Sequence, residues 1–142
     1  MDKAADPILQ VLQDYKAAVF AKDVDAFVAL YAPDILAFDM WGAWTYEGIA
    51  SWRSMVEGWF GSLGAESVVV DFSKAQTAIS GELAAVHAFV AYKAVTVDGE
   101  ELRSMDNRIT ATLRQTAEGW KIFHQHSSAP IDPATTKVIF KR

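Results

Sequence analysis

The sequence predicts an α+β domain, with N-terminal helices packed on a curved, mostly antiparallel sheet. Three observations predict it. Helical periodicity lies before residue 61, and the later apolar segments read as strands bounded by turn residues. The chain has 142 residues, 51% apolar and 22% charged, which suits one packed core rather than disorder.

The elements follow in order. Asp6-Pro7 opens a helix, since proline is suited to a first turn. Ile8, Leu9, Val11, Leu12, Tyr15, Ala18 and Val19 recur at helical spacing to about Ala21, and Lys22-Asp23 breaks the run. A short second helix is expected from Val24 to Tyr31, halted by Ala32-Pro33, and a short apolar strand from Ile35 to Met40. Gly42 to Thr45 is turn-like. A third helix runs from Ile49 to about Phe60, ended by Gly61 and Gly64. Strands are then expected over Ser67–Ile79, Leu83–Val97, Leu102–Thr116 and Trp120–Ser128, with Asp98-Gly99 and Ala117-Glu118-Gly119 as turns. No linker, repeat or low-complexity block divides the chain, so a single domain over 1–142 is expected, its tail 131–142 peripheral.

Composition narrows the functional classes. Net charge is −5, which speaks against a nucleic-acid partner needing a concentrated basic surface. Cysteine is absent, which excludes thiolate catalysis and cysteine-ligated metals and favours a reducing compartment. The start, Met1-Asp2-Lys3-Ala4-Ala5-Asp6, has acids where a signal peptide has basic residues, and no apolar run is long enough to span a bilayer. A soluble, cytoplasmic protein is expected, without membrane or nucleic-acid partner. No phosphate loop or nucleotide motif is present, and no organic cofactor is expected. Aromatic residues, five Trp among them, suit either a large core or the wall of an apolar pocket.

Two segments carry a family resemblance. Leu12-Gln13-Asp14-Tyr15-Lys16-Ala17-Ala18, Asp23-Val24-Asp25 and Val28-Ala29-Leu30-Tyr31-Ala32-Pro33-Asp34, continuing through Asp39-Met40-Trp41-Gly42 to Gly48 and Arg53, resemble the opening of a ketosteroid isomerase. Gly119-Trp120-Lys121-Ile122-Phe123-His124-Gln125-His126-Ser127-Ser128 resembles the W-x-I-x-H-x-H-x-S ending of SnoaL-like domains, and a similar ending occurs in the association domain of calcium/calmodulin-dependent kinase. The resemblance covers about Val11 to Pro130 and implies the nuclear-transport-factor-2-like, cystatin-like superfamily. It implies a cone-shaped barrel, helices on a strongly curved sheet, with an apolar pocket and a homodimer through the sheet face. It also implies Asp39 as catalytic base and Tyr15 as hydrogen-bond donor to an enolate oxygen. A second acid of the family's set would fall near Ile109 or Ala111, neither of which donates a hydrogen bond, so the full steroid-isomerase mechanism is not expected.

Read as residues, Asp39 closes an apolar strand between Phe38 and the Trp41/Trp44 pair. A carboxylate among aromatics is costly to ionise, which raises its pKa toward the range of a useful base; alternatively, Asp39 caps its own turn. Tyr15 lies on the apolar stripe of the first helix, either as a core tyrosine or with its hydroxyl turned to a ligand. Trp52, Met55, Val56, Trp59 and Phe60 recur at spacings of three and four, a stripe that suits core and pocket roof alike. Tyr31, Trp41 and Trp44 complete the expected aromatic wall.

Strand alternation extends the set. Trp120, Ile122, His124, His126 and Ser128 share one face. With that face toward the helices, His124 joins the catalytic candidates, and His126, His87 and Phe89 look into the pocket. Asn107 shares the face of Ile109, whereas Asp106 faces away. The His124/His126 pair lacks a spacing-fixed third ligand, so no metal is expected. The expected function is binding of a small apolar, carbonyl-bearing molecule, with proton transfer of the isomerase, cyclase or lyase type. The alternative is a non-catalytic ligand-binding or oligomerisation domain.

Overall fold

The structure, a computed structural model, describes residues 6–142. Its elements are α1 (Pro7–Ala21), α2 (Val24–Val28), β1 (Tyr31–Phe38), β2 (Tyr46–Glu47), α3 (Ile49–Ser62), β3 (Ser67–Ser80), β4 (Leu83–Val95), β5 (Glu101–Thr116) and β6 (Gly119–Ser128). The strands form one six-stranded sheet in the order β2-β1-β6-β5-β4-β3. Only the β1–β6 pair is parallel. The order is linear, so the cone is an open curved sheet with α+β architecture.

Local chemistry sets the helices. Asp6 caps α1 by accepting from Ile8 N (2.8 Å) and Leu9 N (3.3 Å). The opposite end closes at Lys22, whose backbone is left-handed (φ 53°) and whose Nζ donates to Gly64 O and Glu66 O, both at 2.7 Å. The second helix is shorter than expected, because Pro33 drives its neighbour Ala32 out of the helical region. Tyr31 instead pairs with Ile122, and β1 begins four residues before Ile35. Pro33, lacking an N–H, sits where the β1–β6 register breaks between Tyr31 and Leu36. Gly48 enters α3 at φ 83°, a conformation that side chains resist, while its N–H donates to Ile35 O at 2.7 Å.

Between helices and sheet lies an aromatic core centred on Phe27. Its ring stands 5.0 Å from Tyr15, 5.3 Å from Tyr31 and 5.8 Å from Phe60, in tilted or edge-on geometry. The sheet contributes Val70, Val86, Val90, Ile109, Ala111, Leu113 and Ile122 to the same buried cluster.

One feature departs from the sequence reading. In β6, Ile122 pairs with Leu113 and His124 with Thr112, so Phe123 is an extra residue, a β-bulge. Beyond it the alternation inverts: Gln125 and Ser127 are buried, and His124 and His126 face the outer side. The tail lies at the surface and packs back against the domain. An Ile131–Val138 bridge folds it back, Asp106 N donates to Phe140 O at 2.6 Å, and the Phe140 ring stacks on Trp41 (5.6 Å, 10°). Among the described residues, no helix is long and apolar enough to cross a membrane.

Candidate ligand cavity

A cavity of about 690 Å³ opens between the helices and the inner face of the sheet. Phe27, Trp52, Met55, Trp59 and Leu63 form its helical side, and Val68, Tyr92, Ala94, Met105 and Asn107 line it from β3, β4 and β5. Gln125 and Ser127 reach it from β6, while Trp41, Gly42, Tyr46 and Phe140 surround it from the β1–β2 loop, β2 and the tail. A mostly apolar wall with few polar groups is what a small-molecule site requires.

Seven expected residues meet here: Tyr15, Asp39, Trp41, Trp52, Met55, Trp59 and Asn107. Asp39 is partly buried, and desolvation pushes its carboxyl above the ordinary range, while the turn amides of Trp41 and Met40 pull it back in part. Asp39 is thus a desolvated carboxylate beside the amides of its own turn.

Tyr15 and Tyr92 face each other with hydroxyl oxygens 3.0 Å apart. Burial drives the Tyr15 phenol well above its ordinary pKa. Burial also lifts Tyr92, to about 12, and hydrogen bonding from Tyr15 and Asn107 limits that rise. Tyr31 lies behind this pair, wholly buried, and donates to Gln125 Oε1 at 2.6 Å. Asn107 is 9% exposed; its Nδ2 donates to Met40 Sδ at 3.4 Å, and its Oδ1 has no partner among the described residues. Arg103 at the rim is paired with Glu66 Oε1 at 2.7 Å.

Five expected residues lie elsewhere. Trp44 is 96% exposed, carried out of the wall by the turn after Asp39. His124 is turned from the cavity by the Phe123 bulge, its Nδ1 bonded to Leu36 O at 2.8 Å. His126 points outward for the same reason, with Phe38 edge-on to both imidazoles. His87 and Phe89 are also on the outer face, because β4 buries the alternate set Ala84, Val86, Ala88 and Val90. That strand is apolar on both faces, so alternation alone does not choose between them. Among the described residues, no group of three or more His, Asp or Glu is arranged to hold a metal ion.

The sequence reading misses Tyr92, Gln125, Ser127 and Phe140. Tyr92 shares parity with Val86 and Val90, a signal that becomes usable once the inner face of β4 is known. Gln125 and Ser127 carry no such signal, since the bulge alone turns them inward.

A family model described as SnoaL-like domain matches residues 8–132. Several solved structures share the fold. A nuclear-transport-factor-2-like protein of unknown function from Pseudomonas putida is 27% identical, with a TM-score of 0.83 over 95% of this chain and 92% of that one. A nuclear-transport-factor-2-like protein with a cystatin-like fold from Novosphingobium aromaticivorans is 20% identical, with a TM-score of 0.73 over 85% of this chain and 78% of that one. A proposed dehydratase of the same superfamily from Streptomyces avermitilis is 14% identical, with a TM-score of 0.74 over 89% of this chain and 96% of that one. No curated protein matches the sequence.

Proposed function

The chain belongs to the SnoaL-like family, and on that premise we propose that its cavity binds a small apolar carbonyl compound and moves a proton on it, with Asp39 as the base. The observation that carries the reading is the Asp39 carboxylate at the wall of an apolar cavity that also holds the Tyr15–Tyr92 hydroxyl pair. The ionised carboxylate removes a proton from the carbon next to the carbonyl. The C–H electron pair becomes the enolate C=C bond, and the carbonyl π pair moves onto oxygen, where a phenol hydroxyl of the pair donates to it. Returning the proton to another carbon gives an isomerase; expelling a leaving group instead gives a lyase. Burial suits Asp39 to this work, because a carboxylate with a raised pKa holds the abstracted proton more firmly.

The test begins with a thermal-shift screen of aromatic and polycyclic ketones and enones, since a bound ligand raises apparent stability by mass action. Compounds that bind are then assayed for turnover. Asp39→Asn is expected to lower kcat about 100-fold or more while leaving ligand affinity within a few-fold. A wild-type turnover that survives this substitution undiminished excludes Asp39 as the base. Ligands that bind without any turnover would favour the alternative, a binding domain. The homodimer belongs to the same proposal, through the outer sheet face that carries Thr110, Thr112 and Arg114, and light scattering reads it.

A further inference from the structure

We propose that Tyr92 and Asn107 form a paired donor–acceptor subsite that selects ligands carrying an O–H or N–H on the atom next to their carbonyl carbon. The inference rests on the reading of the cavity as a small-molecule site and goes on to name the ligand class.

Counting hydrogens gives the donor half. Tyr15 and Tyr92 carry one hydroxyl hydrogen each, and the 3.0 Å bond between them uses one. The other is left for an acceptor in the cavity. Either oxygen can donate in that bond, and with Tyr15 as the donor the spare hydrogen is that of Tyr92.

Asn107 supplies the acceptor half. It interrupts an inner face of β5 that otherwise reads Met105, Ile109, Ala111 and Leu113, and it is the side chain there that can hydrogen-bond. Its amide nitrogen donates to Met40 Sδ, and its buried Oδ1 has no partner among the described residues, on a side chain that lines the cavity. A buried amide oxygen without a partner is costly, and a ligand donor relieves that cost.

Register sets the two groups side by side. Val90 pairs with Asn107 and Tyr92 with Met105, so Tyr92 and Asn107 are diagonal neighbours on one face. A donor beside an acceptor matches a ligand with the reverse pair on adjacent atoms, such as a lactam, an α-hydroxy ketone or an α-diketone in its enol form.

A matched pair of bicyclic lactams tests this. 2-Quinolone presents C=O and N–H together, and N-methyl-2-quinolone keeps the carbonyl and loses the donor. Binding is followed by tryptophan fluorescence, with Trp52 and Trp59 in the wall as reporters. The wild type is expected to bind 2-quinolone about tenfold or more tightly than its N-methyl analogue. Asn107→Leu is expected to abolish that preference, Asn107→Asp, which keeps an acceptor, to retain it in mildly alkaline buffer, and Tyr92→Phe to weaken both compounds. Equal binding of both lactams by the wild type overturns the subsite and leaves the cavity reading standing. A preference that persists in Asn107→Leu is steric and also overturns the subsite. Failure of the wild type to bind either lactam overturns the subsite and the cavity reading together.

Discussion

Two aspartates sit in opposite electrostatic situations and so respond oppositely to pH. The Thr77 hydroxyl (2.6 Å), followed by the first amides of α1, holds the Asp6 carboxyl below the ordinary range. The fold prefers its ionised form, so the stability it adds is present above the ordinary carboxylate pKa and is lost as pH falls through the lowered one. Burial holds Asp39 above the ordinary range. There the fold prefers the protonated form; that contribution is complete below the ordinary pKa and is lost as pH rises through the raised one. Asp6→Ala is therefore expected to cost about 1 kcal/mol at neutral pH, roughly 3 °C in Tm for a domain of this size, and to converge on the wild type in acid. Asp39→Asn is expected to raise Tm at neutral pH, by a margin that shrinks on acidification. Thermal melts across the acid-to-neutral range check both, and a fall in Tm on Asp39→Asn at neutral pH would contradict the second. Asp39 is legible in the sequence because it ends a strand whose inward residues, Ile35 and Ala37, are plainly apolar. Tyr92 is not, because its strand offers two apolar faces.

At the scale of elements, residue patterns mark the helices and strands well, since proline, glycine and periodicity act locally. They misplace the histidines, because alternation assumes an unbroken pleat and one inserted residue inverts everything after it. Phe123 is that residue. Deleting it removes the unpaired residue and keeps the pairing on either side, so that Gln125 and Ser127 stay in the cavity wall while His124 and His126 stay outside. The deletion variant is therefore expected to keep the Tyr31–Gln125 bond and to lose about 0.5–3 kcal/mol, from the altered bend of the strand alone. His126→Ala, on the outer face, is expected to change stability by less than about 0.5 kcal/mol. Urea denaturation compares the two, and a deletion variant that no longer unfolds cooperatively would refute the reading of Phe123 as the extra residue.

Across the whole molecule, the cavity draws on nearly every element, which is why periodicity finds the helix that roofs it but not the tail that borders its mouth. Phe140 is remote in sequence from everything it touches, and no local pattern announces its stack on Trp41. Such a stack contributes about 0.5–1.5 kcal/mol, and its rings line the entrance. Truncation after Lys137 is expected to leave the melting transition cooperative, because the removed residues lie at the surface. The same truncation is expected to speed release of a bound lactam roughly three- to tenfold, the stack's contribution expressed as a rate. Stopped-flow displacement measures this, and an unchanged release rate would show that the stack does not slow release.

The linear strand order has one more consequence. It leaves β3, fourteen residues long, at an open end of the sheet. A straight edge of that length invites a neighbouring molecule to add its own strand, the first step toward aggregation. Here Lys74 breaks the edge: its backbone turns left-handed (φ 53°) where the register slips between Ser73 and Gln76, and its charge lies at the kink. With Asp71 ion-paired to Lys16 beside it, the strand presents no long, flat, uncharged template, a form that disfavours edge-to-edge pairing.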